Sequence, residues 1–134
     1  MRVFLDTNVL LSGFFGAGLC SALLHRLLES EHPLLIGEPV AREFVRVASD
    51  KFQVPPKSLA LALEVLHRQH LVAAVDVSIP GIPDADDVPI VACALAGGSE
   101  LFVTGGRALR ALGDVRGLPI VSPRDAWARL FAAA

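Results

Sequence analysis

The sequence predicts an α/β protein, a central parallel sheet with helices on both faces. Three observations predict it. Short apolar runs of strand length alternate with longer runs of helical periodicity from one end of the chain to the other. Gly and Pro residues separate those runs. Polar residues sit where apolar strands stop, as in Asp6-Thr7-Asn8 after Val3-Phe4-Leu5 and Thr104 after Leu101-Phe102-Val103. In open α/β sheets the carboxyl edge of the strands is where ligands bind.

Each element follows from its own pattern. Residues 2–5 read as the first strand, and residues 8–13 as a short helix broken by Gly13 and Gly16-Ala17-Gly18. Residues 19–30 read as a helix with Leu19, Leu23 and Leu27 on one face, ended by His32-Pro33. Leu34-Leu35-Ile36 is the second strand. A helix then opens at Gly37-Glu38-Pro39, with Pro acceptable in the first turn. Val40, Phe44 and Val47 share its apolar face, and Glu43 falls on that face too. A carboxylate there must pair, bind a metal or sit at the edge of the core. Val54-Pro55-Pro56 is a break, and residues 57–70 form a helix with Leu59, Leu63 and Leu66 in phase. Leu71 to Val77 is a candidate strand leading towards the site, and Ile79 to Pro83 is a loop. Asp84-Ala85-Asp86-Asp87 opens a helix over about 88–96, ended by Gly97-Gly98. Leu101 to Val103 is a strand with Thr104-Gly105-Gly106 as its terminal turn, and a short helix covers Arg107–Leu112. Leu118 to Val121 is the last strand. Ser122-Pro123-Arg124-Asp125 has the cap, N1 proline and N3 acid of a helix start.

Composition bounds the function. The length of 134 residues suits one domain, 1–134, with a real core, and 53% apolar against 19% charged residues is a globular balance. No apolar stretch reaches the roughly 18 residues of a membrane span. Asp6 interrupts any signal-peptide pattern, so the expectation is a cytoplasmic protein without membrane contact. The formal net charge of −2 lends no bulk support to nucleic-acid binding. Arginine nevertheless supplies ten of the 12 basic residues, and Arg42, Arg46, Arg107 and Arg110 are candidates for a phosphate-contacting rim. The competing reading is that they are solvated helix faces. Cys20 and Cys93 are too far apart for a metal-binding pair and read as buried, reduced thiols. His67 and His70 lack a third ligand.

The acids carry the chemistry. Asp6, Glu43 and Asp87 come from three distant segments that the βα alternation brings towards one sheet edge. A carboxylate set of this kind suits Mg²⁺ or Mn²⁺, which prefer oxygen ligands, and such ions suit phosphodiester hydrolysis. Each acid also has a structural explanation. Asp6 or Asn8 caps a helix, Glu43 pairs with an arginine, and Asp84, Asp86 and Asp87 complement a helix dipole.

The ordered set resembles the PIN-domain family, small metal-dependent ribonucleases that include many toxins of bacterial toxin–antitoxin pairs. The resemblance rests on Met1-Arg2-Val3-Phe4-Leu5-Asp6-Thr7-Asn8-Val9-Leu10, on Glu43 in Ala41-Arg42-Glu43-Phe44, on Asp84-Ala85-Asp86-Asp87-Val88-Pro89-Ile90-Val91-Ala92, on Leu101-Phe102-Val103-Thr104-Gly105 and on Pro119-Ile120-Val121-Ser122-Pro123. It implies a three-layer α/β/α sandwich and an acidic pocket for Mg²⁺ or Mn²⁺. Asp6, Glu43 and Asp87 would be the catalytic, metal-site acids. Asp84 and Asp86 would be supporting groups, and Asn8 and Thr104 would orient ligands or water. RNA would be the substrate and an antitoxin protein the partner.

One position departs from the family. An acid usually follows the Thr-Gly that ends the fourth strand, and here Gly106 stands there; Ala108 stands where a second acid often does. Two functions therefore compete: a metal-dependent ribonuclease of toxin type, and a catalytically weakened PIN domain that binds RNA or protein. A flavodoxin-like or receiver-type domain would need a lysine near the site, and the lysines are Lys51 and Lys57. The apolar helices at 19–28 and 57–66 exceed what one small core is expected to bury, which points to a homodimer.

Overall fold

The structure is a computed structural model and describes residues 1–132. The elements run β1 (Val3–Leu5), α1 (Thr7–Phe15), α2 (Leu19–Glu29), β2 (Leu34–Gly37), α3 (Glu38–Asp50), α4 (Pro56–His67), β3 (His70–Val72), a 3-10 turn (Ala85–Asp87), α5 (Val88–Ala96), β4 (Leu101–Val103), α6 (Arg107–Arg110), β5 (Asp114–Val115), β6 (Leu118–Val121) and α7 (Pro123–Phe131). The strands form one six-stranded sheet in the order β3-β2-β1-β4-β6-β5. Its pairings are parallel except for the terminal β5–β6 hairpin.

Strand order decides the layers. The crossovers from β1 to β2 and from β2 to β3 run one way across the sheet, and the crossover from β3 to β4 runs back the other way. Parallel crossovers are right-handed, so α1 to α4 cover one face and α5 the other. The short strands are buried on both sides and are therefore apolar throughout rather than alternating. Strand register places Leu35, Phe4, Phe102 and Ile120 in one row across the sheet. The Phe4 and Phe102 rings stack with centroids 5.3 Å apart. This row faces α5: a Cβ added at Gly37 would meet Phe4 Cζ at 2.8 Å and Cys93 Sγ at 3.0 Å. Glycine at the end of β2 thus lets α5 settle on the sheet. On the other face α1 packs against α2 and α3, and α7 against α2, β4 and β6. Arg26 of α2 lies over the Trp127 and Phe131 rings of α7.

Several expectations needed correction: the helix read over 57–70 ends at His67, with His70 already in β3, and Cys20, read as buried, is only half-buried. Gly13 does not break α1, which runs on to Phe15. It is a packing residue, since a Cβ there would meet Leu24 Cδ2 at 2.8 Å and Leu24 Cβ at 3.0 Å. The strand expected over Leu71–Val77 is only His70–Val72, because the chain leaves the sheet edge after three residues. The short β5 was not expected. It returns through Arg116 and Gly117, both at positive φ (50° and 84°), a primed hairpin turn built without the usual Asn-Gly or Asp-Gly. The helix start at Ser122 is as read, with Ser122 Oγ accepting from Asp125 N at 3.1 Å. The helices expected to carry surplus apolar surface bury most of it within the chain: Leu23, Leu24 and Leu27 of α2 and Leu59, Ala62 and Leu66 of α4 are buried, while Leu19 and Leu61 are exposed. Among the described residues no single helix is long and apolar enough to cross a membrane.

Gly13→Ala tests the packing role. Alanine gains about 1 kcal/mol of helix propensity over glycine, but overpacking against Leu24 costs about 1–3 kcal/mol. The variant should melt below the wild type. An equal or higher melting temperature would show that α1 and α2 do not need the glycine contact.

Candidate active site

The site begins with two backbone hydrogen bonds. Asp6 N donates to Val103 O (3.0 Å) and Thr104 N to Val121 O (2.9 Å), so the β1–β4 and β4–β6 ladders each extend one residue past the strands. Asp6 and Thr104 are thereby held at one level on the carboxyl edge. Strands β1 and β4 are neighbours, but β1 leads away to β2 on its other side, which makes their boundary the topological switch point of the sheet.

Side chains complete the arrangement. Asp6 Oδ1 accepts from Thr7 N (2.8 Å), and Asp6 Oδ2 accepts from Thr104 Oγ1 (2.8 Å). Thr104 Oγ1 in turn accepts from Gly106 N (3.0 Å). An amide can only donate, so the hydroxyl proton is committed to Asp6. Burial pushes the Asp6 pKa up, the Thr104 and Thr7 donors pull it back in part, and Glu43 adds to the rise.

Asp87 ends the 3-10 turn that leads into α5. Its pKa is pushed up to about 6, first by desolvation and then by the charges of Asp6, Asp84, Glu43 and Asp86. Among the described residues no hydrogen bond reaches its carboxylate. Asp84 caps the same turn, with Oδ1 accepting from Asp86 N at 2.9 Å.

Asp6, Asn8, Asp84, Asp87, Thr104 and Gly106 line one cavity of about 310 Å³, and Arg107 lines it with them. Glu43 is not in that lining. It approaches closely enough to raise both aspartates, and its Oε2 lies 3.8 Å from Arg46. Asp86 is exposed outside the cavity. The four arginines separate: Arg107 is at the cavity, Arg46 is beside Glu43, Arg42 pairs with Glu38 at 3.6 Å, and Arg110 is on the outer surface of α6. Arg42 belongs to a different, largely apolar groove of about 390 Å³ between α3 and α4. That groove is larger but carries a single carboxylate, Glu38, whereas the acids collect in the smaller cavity.

The sequence did not reveal the Gly106 amide bond to Thr104, because it depends on a turn conformation. Gly106 has φ −72° and ψ 122°, an ordinary extended conformation, and a Cβ there would meet only Thr104 Oγ1, at 3.4 Å. Glycine is not required at this position by its backbone.

The donor set fits a hard cation. Carboxylate, amide and hydroxyl oxygens face one space, and the charge that neighbouring acids press on Asp87 is relieved by a cation. Among the described residues no three His, Cys, Asp or Glu side chains form a ready-made metal cage. The fit is to an ion such as Mg²⁺ that keeps several waters and takes only one or two carboxylates directly.

A sequence model of the family described as "PIN domain" matches residues 2–108. No curated protein matches in sequence. Among solved structures, the chain is similar to one in the VapBC2 complex from Rickettsia felis bound to a DNA fragment from their promoter. The TM-score is 0.63 at 14% identity, covering 91% of this chain and 98% of that one. At that identity the likeness is one of fold.

Asp87 and Asp6 make a pH prediction for the metal-free protein. A carboxyl whose folded pKa lies above its unfolded value holds its proton more tightly in the fold. Its stabilising contribution is complete below the ordinary carboxylate range near 4 and is lost as pH rises through about 6. The melting temperature should therefore fall between about pH 4 and 6.5 by more in the wild type than in Asp87→Asn. At pH 7.5, Asp87→Asn should melt higher than the wild type, by about 3–6 °C for each kcal/mol relieved in a domain of this size. Parallel pH–melting curves for the two proteins would refute the assignment of the strain to Asp87.

Proposed function

The chain belongs to the PIN-domain family, and we propose that it is a metal-dependent ribonuclease, the toxin component of a toxin–antitoxin pair formed by one domain over residues 1–134. The observation that supports this reading most is the convergence of Asp6, Asp84 and Asp87 on one cavity at the switch point of the sheet, with Glu43 close enough to couple to it. Asp6 and Asp87 would hold Mg²⁺ or Mn²⁺, with Glu43 as the third acid. Asn8 and Thr104 would orient ligands or water, and Asp84 and Asp86 would add negative charge around Asp87. A bound ion of this kind polarises a phosphoryl oxygen and lowers the pKa of water.

The chain's own residues have separable tasks. Thr104 and Thr7 fix both oxygens of Asp6, so this carboxylate does not have to reorganise on binding. Asp87, with no donor on its carboxylate, is the acid able to exchange a proton near neutrality. In the reaction the water oxygen forms a new P–O bond and one P–O ester bond breaks. The proton lost by water goes to a carboxylate or to solvent, and the leaving oxygen departs as a hydroxyl after taking a proton. Arg42, Arg46, Arg107 and Arg110 would contact RNA phosphates around the cavity.

Support for a protein partner comes from the fold neighbour, which sits in a two-component complex on promoter DNA. An antitoxin of this kind would place the chain in the cytoplasm. Exposed Leu19 and Leu61 leave some apolar surface on α2 and α4 for that partner or for a second copy of the chain. Gly106 favours the other function, a catalytically weakened domain that binds RNA or protein, because the cavity has one carboxylate fewer than the family usually places there.

Mn²⁺-dependent cleavage of mixed RNA decides between them. The wild type should cleave, and Asp6→Asn should lose on the order of 100-fold or more, at least the effect of disturbing a metal's outer shell. Gly106→Asp should bind Mn²⁺ more tightly, since the backbone there accepts a side chain and Asp suits the first position before a helix. Millimolar Mn²⁺ should raise the wild-type melting temperature at pH 7.5 by binding only the folded state. A wild type that neither cleaves nor shifts with Mn²⁺, yet retains RNA, would leave the binding function standing.

A further inference from the structure

We propose that Arg107 supplies the second positive charge of this site, so that the cavity holds an RNA phosphodiester between one divalent cation and one guanidinium instead of between two cations. The proposal rests on the ribonuclease reading and states how that site meets its substrate.

Arg107 is the arginine that lines the acidic cavity. Unlike Arg42 and Arg46, each paired with a glutamate on its own helix, it makes no ion pair and no side-chain hydrogen bond among the described residues. An exposed guanidinium beside several acids and committed to none of them is free for an anion that enters the cavity. Its anchorage is firm where it matters. Arg107 follows Gly106, whose amide is tied to Thr104 Oγ1, which is tied to Asp6 Oδ2. The backbone that carries the arginine is therefore held in fixed relation to the acid expected to hold the ion.

The oxygens present argue for one ion. Two-cation sites hold their ions about 3.5–4 Å apart and need carboxylates able to face both. Each oxygen of Asp6 already accepts one hydrogen bond, which leaves it one lone pair for an ion, and Asp84 Oδ1 likewise accepts from Asp86 N. Glu43 lies next to Arg46 and outside the cavity lining. Of the three aspartates that line the cavity, Asp87 is the one with both oxygens free of a donor among the described residues. One partly hydrated cation suits that set, and a second would have to share the few lone pairs that remain. A phosphodiester gathers negative charge on its non-bridging oxygens as water adds. A planar guanidinium can meet two of those oxygens at once, keeps its charge at any relevant pH and needs no protein ligands.

Three measurements test this on the whole chain. The first is calorimetric titration with Mn²⁺ on the wild type, Arg107→Gln, Arg107→Lys and Gly106→Asp. The second is anisotropy of a 5′-labelled RNA oligonucleotide in EDTA across a salt series. The third is Mn²⁺-dependent cleavage of the same RNA. The wild type should bind one Mn²⁺ per chain, and Arg107→Gln should bind one with equal or higher affinity. Without metal, Arg107→Gln should bind RNA about 10-fold more weakly, with the salt slope reduced by about 1. Arg107→Lys should recover that binding while remaining well below the wild type in cleavage, because an ammonium cannot bridge two oxygens. Gly106→Asp should gain a second Mn²⁺ site. Two Mn²⁺ per wild-type chain, or Arg107→Gln holding RNA as tightly as the wild type, would overturn the proposal while leaving the ribonuclease standing if cleavage is seen. A wild type that binds no Mn²⁺ would overturn both. One Mn²⁺ and arginine-dependent RNA binding without any cleavage would sink the ribonuclease alone.

Discussion

The hydrogen bond from Thr104 Oγ1 to Asp6 Oδ2 is the contact on which the site depends. It joins the residue after β1 to the residue after β4, 98 positions apart in sequence, at the one boundary of the sheet where connections diverge. Much of the core serves to place those two residues. The Phe4–Phe102 stack one layer below sets the β1–β4 pairing in register. Gly37 admits α5 onto that stack, and α5 begins at Asp87. A buried carboxylate is costly unless donors reach it. Asp6 is tolerated because the turn into α1 and the Thr104 hydroxyl each provide one.

The same geometry divides labour among the acids. Asp6 is embedded and supplied with donors, so it is stiff. Asp87 is more open, lacks donors and feels the charge of the neighbouring acids, so it holds its proton more tightly than a free carboxyl, up to about pH 6. Two carboxyl groups on one cavity thus differ in hydrogen bonding and exposure through environment alone. A raised Asp87 pKa implies a stability cost for the metal-free chain at neutral pH. That cost is concentrated where a cation would bind, a common arrangement of strain at a functional edge.

Much of this was legible in sequence because it is written locally. Val-Phe-Leu before Asp-Thr-Asn gives a strand and its carboxyl edge, Asp84-Ala85-Asp86-Asp87 gives a helix start, and Ser122-Pro123-Arg124-Asp125 gives a cap whose Ser122 Oγ accepts from Asp125 N in the structure. What stayed hidden depends on tertiary contact. Gly13 reads as a breaker until Leu24 is seen lying against it. Arg116-Gly117 carries no hairpin signature, yet both residues take positive φ because β5 has β6 to pair with. Leu71 to Val77 has the apolar character of a strand, but the sheet ends at β3 and offers nothing beyond Val72. Glu43 was recognisable as an acid on an apolar face, while its distance from the cavity was not.

Gly106 shows why an absent side chain has to be read through its backbone. As a sequence letter it is only a missing acid. In the structure its amide is the donor that fixes the direction of the Thr104 hydroxyl, and so directs that hydroxyl's proton at Asp6. Any residue except proline could supply the same amide, and the ordinary φ of −72° would accept one. The identity of the side chain at this place is therefore separable from the hydrogen-bond relay that orders Asp6. The relay survives in full, and the residue next along the chain brings a guanidinium to the same cavity. The cavity carries a guanidinium beside its carboxylates while both oxygens of Asp6 keep their donors. On the proposed reading that guanidinium would help balance an incoming anion, and the hydrogen-bonded framework around Asp6 does not depend on a side chain at position 106.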